Sequence, residues 1–188
     1  VPVLKKKTVK TAVALSGAPE GFADRYLDIT PEKIEIAGPA DVVDSMDELT
    51  VATLDVARIA ESTELTFALV PGENILDVNG VGSVSVEVDY SKVKNGTFTI
   101  SDIRLEGVES LGRYEASVET KSLENVTVYA ASSLFGSLKD SNLYAVATLD
   151  ATMAGAGQKI VTARVYSTKG DLVWAVGEYA VLVNITQK

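Results

Sequence analysis

The pentapeptide Val51-Ala52-Thr53-Leu54-Asp55 returns as Val146-Ala147-Thr148-Leu149-Asp150. A segment repeated at long, nearly fixed spacing constrains a fold more than any single motif, because it sets module number and architecture together. The correspondence extends upstream. Ile34-Glu35-Ile36-Ala37 answers to Val126-Thr127-Val128-Tyr129, the apolar trio Val42, Val43, Met46 to Leu134, Phe135, Leu138, and Leu15-Ser16-Gly17 to Leu105-Glu106-Gly107. The offset drifts from 90 through 92 to 95 residues, as small insertions in surface loops produce. The 188 residues therefore read as two modules, 1–93 and 94–188. Each is of a size that folds independently. The connection between Tyr90 and Phe98 is short, which implies a fairly fixed, end-to-end arrangement.

Composition narrows the function classes. An apolar fraction of 46% with 23% charge is that of a packed globular protein. The chain holds no cysteine and no histidine, which removes disulfides, thiol nucleophiles, thiolate zinc sites and imidazole bases together. No run of eighteen apolar residues is present to span a membrane. The start, Val1-Pro2-Val3, is neither a signal peptide nor an initiator methionine, and reads as the beginning of a segment excised from a longer chain. The net charge of −9 is uneven: residues 1–92 carry eight Lys/Arg against sixteen Asp/Glu, and residues 93–188 nine against ten. So acidic a first module repels phosphate backbones, and nucleic-acid binding is not expected. The one basic run, Lys5-Lys6-Lys7 with Lys10, reads as a solvated linker in preference to a stretch lying against anionic headgroups.

Alternation of apolar and polar residues dominates the chain and predicts strands. Val9, Thr11, Val13 and Leu15 form one; Lys33–Ala37, Leu65–Leu69 and Val84–Val88 follow. In the second half strands are predicted at Phe98–Leu105, Tyr114–Val118, Val126–Tyr129, Leu143–Leu149, Ile160–Tyr166, Leu172–Val176 and Tyr179–Ile185. Asn79-Gly80 and Asn95-Gly96 are turn signals, and Thr168-Lys169-Gly170-Asp171 reads as a hairpin loop. Each module has one short helix in the same relative place. Gly38-Pro39-Ala40-Asp41 opens the first, with Pro39 suited to a helix start, and Ala131-Ser132-Ser133 the second, where a serine can cap. A further helical turn is admitted within Val56–Ser62. The fold class is mainly β: two tandem small β-rich modules, each with one short helix.

Few residues nominate chemistry. Asp41, Asp44, Asp47 and Glu48 make the densest carboxylate group, but calcium sites draw on irregular loops with backbone carbonyls, so a solvated acidic face is the reading. Asp55 and Asp150 close the repeated pentapeptide, where aspartate caps turns through its own backbone. Gly80-Val81-Gly82 is followed by a strand and is no dinucleotide loop. Trp174, the sole tryptophan, reads as core packing, and as the first interface anchor if it is exposed. Tyr179 and Tyr144 are interface candidates of the same kind. No catalytic residue, cofactor site or metal site is nominated.

With the repeat laid out, a signature becomes visible. It runs Val13-Ala14-Leu15-Ser16-Gly17-Ala18-Pro19-Glu20-Gly21-Phe22, then Ile29-Thr30-Pro31-Glu32-Lys33-Ile34-Glu35-Ile36-Ala37-Gly38-Pro39, and closes at Val51-Ala52-Thr53-Leu54-Asp55. This resembles the YbbR-like domain family. The second module departs from it, with Tyr129-Ala130-Ala131 in place of Ala37-Gly38-Pro39 and Val108-Glu109-Ser110 in place of Ala18-Pro19-Glu20, and is assigned through the internal alignment. The resemblance implies strings of small β modules outside the cytoplasmic membrane behind an N-terminal membrane helix, some of which regulate a membrane-bound diadenylate cyclase, and so cyclic di-AMP, by protein contact. It implies no catalytic residues. The expected function is a non-catalytic extracytoplasmic interaction module of a membrane-anchored protein, its partner a membrane protein such as a diadenylate cyclase, with no nucleic acid and no small-molecule substrate. The alternative is a cell-surface adhesion or carbohydrate-binding module, which calls for a row of exposed aromatics that an aromatic content of 6% supplies poorly.

Overall fold

The computed structural model describes residues 4–170 and 172–188. Val1, Pro2 and Val3, on which the excised start was read, lie outside the described residues, as does Asp171 of the predicted hairpin loop. The chain divides into two compact units. One ends at Ser91, and the other runs from Lys92 to Lys188 and includes the loop Gly17–Gly21.

In the first unit the alternating segment becomes one long strand, β1 (Lys5–Ser16), which changes partner halfway. After it come α1 (Phe22–Tyr26), β2 (Leu27–Thr30), β3 (Lys33–Gly38), α2 (Ala40–Ser45), β4 (Glu48–Asp55), β5 (Thr63–Ala68), β6 (Leu76–Asp77) and β7 (Ser83–Val88). Lys5–Lys10 of β1 pair antiparallel with β3, and Lys10–Ser16 pair parallel with β4. The strand order is β4-β1-β3-β6 in one sheet and β2-β7-β5 in the other. Val9, Ile34, Ile36, Val43, Val84 and Val86 form the middle of the core, each contributing roughly 2 kcal/mol by leaving water.

The second unit comprises β8 (Val93–Ile100), β9 (Ile103–Glu106), β10 (Tyr114–Val118), β11 (Leu123–Ala131), α3 (Ser132–Phe135), β12 (Leu143–Thr148), β13 (Gly157–Ser167), β14 (Val173–Val176) and β15 (Tyr179–Gln187). Its sheets have the orders β14-β11-β8 and β10-β15-β13-β12-β9. The predicted strand Phe98–Leu105 is thus two strands: β8 pairs antiparallel with β11 and β9 parallel with β12, and Ser101-Asp102 breaks the path between them. Together β8 and β9 do what β1 does unbroken, since β11 answers to β3 and β12 to β4. The two units share one topology, and the sequence repeat is a repeat of structure.

Several local expectations change. Asn95-Gly96 is no turn but the middle of β8, where Gly96 lies opposite Val128. A side chain there would place its Cβ 2.9 Å from the ring of Phe135, so glycine leaves room for the aromatic that anchors α3. β13 and β14 belong to different sheets and so are not the two strands of a hairpin. The first unit holds a helix beyond the one expected, α1, whose Phe22 and Tyr26 are buried at i, i+4. Lys5, Lys6 and Lys7 are strand residues and not a linker. Lys5 pairs with Asp44 at 2.5 Å, Lys7 with Asp47 at 3.0 Å, and Lys6 with Glu35 at 3.7 Å.

The upstream limb of the alignment is also corrected. Leu15 lies beside Leu54, whereas Leu105 lies beside Ala147, two residues short of Leu149. A two-residue slip keeps every side chain on its face, because strand side chains alternate with period two. The helix starts, by contrast, coincide despite different residues. Pro39 takes φ −54°, ψ 137° and Ala131 takes φ −52°, ψ 137°. Neither N-cap makes a side-chain hydrogen bond, so the serine cap expected of Ser132 or Ser133 is not formed; backbone conformation sets the start of α3.

Candidate functional site

The repeated aspartates are turn caps. Asp55 Oδ1 accepts from the backbone N–H of Ala57 at 3.1 Å, and Asp150 Oδ1 from that of Thr152 at 2.8 Å, each opening a short 3₁₀ turn, Val56–Arg58 and Ala151–Met153. The Thr152 hydroxyl also donates to Asp150, and these bonds hold the Asp150 carboxyl below its ordinary value of 3.8.

The acidic group around α2 is partly neutralised by β1. Asp44 and Asp47 take Lys5 and Lys7, and the Lys7 ammonium also donates to the Asp44 carbonyl at 3.1 Å. Among the described residues no three carboxylates converge as a metal-ligand set. An open depression of about 560 Å³ lies where β1 changes partner, lined by Thr8, Val9, Lys10, Lys33, Asp47 and Glu48. Two lysines facing two carboxylates offer charge pairing there.

The three aromatic candidates sit in different settings, and the structure does not bring them together. Trp174 is 2% exposed and stacks on Tyr129, ring centroids 5.9 Å apart; packing describes its surroundings, and it offers no surface to a partner. Tyr179 is half-buried and ties the two sheets of its unit together. Its hydroxyl accepts from the backbone N–H of Thr127 at 2.9 Å and donates to the Val176 carbonyl at 2.7 Å. Tyr144 stands on the outward side of β12. It stacks on Tyr166 of β13 at 5.7 Å, and the Arg104 guanidinium of β9 lies 3.9 Å from its ring centroid. Arg104 in turn donates to both oxygens of Asp102, its Nε at 3.1 Å to each, which holds the Asp102 carboxyl below its ordinary 3.8 and the guanidinium above its ordinary value. The result is a cross-strand ladder, Asp102–Arg104–Tyr144–Tyr166, over three strands. Arg104, Tyr144 and Tyr166 lie far apart in the sequence, so neither composition nor periodicity could pair them.

A second aromatic group escaped the sequence. Phe22, Tyr26 and Tyr90 meet edge-to-face at centroid separations of 5.3, 6.1 and 6.2 Å, and burial pushes the Tyr26 phenol up. The i, i+4 spacing of Phe22 and Tyr26 was the signal that could have found α1.

The sheet edges differ between units. β12 is flanked by β9 and β13, while β4 is flanked by β1 alone and β5 ends its own sheet. Among the described residues no hydrogen bond between backbones joins the outer side of Glu48–Leu54 to another segment.

Residues 8–89 match the family model described as YbbR-like protein. The crystal structure of a YbbR-like protein from Streptococcus pneumoniae is similar over 99% of this chain and 96% of its own, at 12% identity and a TM-score of 0.36. The solution structure of SuR18C from Streptococcus thermophilus aligns over 46% of this chain and 85% of its own, at 21% identity and a TM-score of 0.34. No curated protein matches the chain. The chain carries a YbbR-like domain at residues 8–89. Among the described residues no helix is long and apolar enough to cross a membrane.

Proposed function

We propose, from the YbbR-like domain at residues 8–89, that this chain is a non-catalytic tandem interaction module of an extracytoplasmic, membrane-anchored protein, and that it regulates a membrane-bound diadenylate cyclase by protein contact. The observation that carries the reading is the family match to a fold made of turns and core positions. The polar groups around it act structurally: Asp55 and Asp150 cap turns, and Lys5 and Lys7 hold α2 to β1. An acidic first module, with a net −8 over residues 1–92, favours a basic partner surface.

The test mixes the protein with intact membrane-bound diadenylate cyclase, measuring binding by calorimetry and cyclic di-AMP output in the same samples. Saturable binding that shifts output is expected. Absence of binding at high micromolar concentration, with output unchanged, overturns the reading.

A further inference from the structure

Why β4 is an open edge can be read from the chain. In the second unit Gly157–Ala163 of β13 pair with β15, and the strand then continues so that Ala163–Ser167 pair antiparallel with Leu143–Ala147 of β12. In the first unit β5 pairs with β7 in the same way through Ala68. The chain next reaches Leu69-Val70-Pro71-Gly72. Proline has no N–H to give a ladder, and Gly72 at φ +103° leaves the extended region. The strand stops there, Val70 stands 76% exposed, and the half of β4 that answers to Leu143–Ala147, the stretch Glu48–Ala52, keeps its outer side unpaired.

From this juxtaposition we infer that the outer edge of β4 at Glu48–Ala52 is a strand-addition site, taking an extended segment of a partner protein antiparallel to β4. This rests on the interaction-module reading and gives it a location. The occupant's chemistry follows from the repeat. The segment filling the same place in the second unit is Ala163-Arg164-Val165-Tyr166-Ser167, small and apolar residues alternating around one arginine. Glu48 is exposed at the start of β4, beside Asp47, whose carboxylate is 94% exposed. Backbone pairing supplies affinity in such a mode, and side chains at alternate positions supply choice. The partner segment is therefore extended, apolar at alternate positions and basic. A second copy of this chain is the rival occupant.

The probe is a synthetic peptide of residues 160–168, added to the whole protein labelled for residue-resolved NMR, with sedimentation to report oligomeric state. Saturable binding that moves the amide signals of Glu48–Ala52, in a protein that stays monomeric, is expected. Glu48→Lys and a peptide carrying Arg164→Glu should each weaken binding about threefold by weakening the general charge attraction, and a peptide carrying Val165→Pro should lose the ladder and bind no longer. Glu48 is exposed, so its substitution does not strain the fold. Peptide signals elsewhere, no binding at millimolar peptide, or self-association through β4 each overturns the inference. Peptide failure with intact cyclase binding removes the edge and leaves the functional reading. Cyclase failure with peptide binding does the reverse.

Discussion

The two halves of this molecule reach the same topology by different local means. In the first, β1 runs unbroken from its pairing with β3 to its pairing with β4 within one sheet, and two lysine–aspartate pairs hold α2 against it. In the second, the path is broken at Ser101-Asp102, and the helix is held by Phe135 seated over Gly96. Gly38 is required in the first half, since a Cβ would stand 2.6 Å from Ile75; its counterpart Ala130 is fully buried without difficulty. What both halves keep is the alternation, the turn-capping aspartate and the backbone conformation at the helix start. The fold depends on pattern and dihedral angles, and the particular contacts are exchangeable. What they do not share is closure of the sheet beside the pentapeptide.

Substitutions in the two halves sharpen this comparison, and Trp174, the sole tryptophan, makes intrinsic fluorescence a reporter of the second unit. The largest effect is expected at Gly107. It adopts φ +74°, and a Cβ would lie 2.0 Å from the Leu149 carbonyl oxygen, so Gly107→Ala should destabilise the second unit by on the order of 3 kcal/mol in denaturant melts. Gly80 in the first unit has φ +62° with nothing near, and Gly80→Ala should cost only about 1 kcal/mol. Equal costs would mean that the close crossing at Leu149 does not exist.

Next come the two ways of holding a helix. Gly96→Val should displace Phe135 and cost about 2 kcal/mol, whereas Lys7→Ala removes an ion pair whose aspartate is 94% exposed and should cost about 0.5 kcal/mol. Amide exchange around α2 and α3 checks both. Asp55→Ala and Asp150→Ala should then each lower the denaturant midpoint of their own unit modestly through loss of a cap, to a similar extent in both halves; a large inequality would break the equivalence of the repeated pentapeptides.

The smallest effect is that of acid. Asp102, Glu124 and Asp150 are held below their ordinary values of 3.8, 4.5 and 3.8, chiefly by hydrogen bonds from Arg104, from Ser122 and Thr99, and from Thr152. A carboxyl lowered in the folded state adds stability above its unfolded value and loses it as pH falls through the folded value. The fluorescence-monitored midpoint of the second unit should therefore decline below about pH 5, and Asp150→Asn should make that decline shallower.

The alternation made most of the strands legible, and Tyr114–Val118 is matched residue for residue by β10. The turn-capping role of Asp55 and Asp150 was readable because short polar side chains act on backbone two residues away. Longer-range features were not. Asn95-Gly96 has the composition of a turn, but a ring 39 residues later in the chain, Phe135, requires glycine there. Lys5-Lys6-Lys7 resembles a linker until α2 is folded against it. Of the aromatic candidates, Trp174 was read as core or anchor, and only burial by Tyr129 and its neighbours separates the two. The open edge of β4 was invisible because it is a property of pairing, decided by Pro71-Gly72 far along the chain.

The most direct measurement is residue-resolved amide hydrogen exchange on the whole protein, comparing β4 with β12. An edge strand bonded on one side protects alternate amides only, and a strand bonded on both sides protects all of them. The structure predicts alternating slow and fast exchange on each side of the irregularity at Val51 in β4, over Glu48–Thr50 and Ala52–Leu54, and uniformly slow exchange across Ala145–Ala147 of β12. Uniform protection of β4 would contradict the account, since a segment of this chain would then already occupy the edge proposed for the partner.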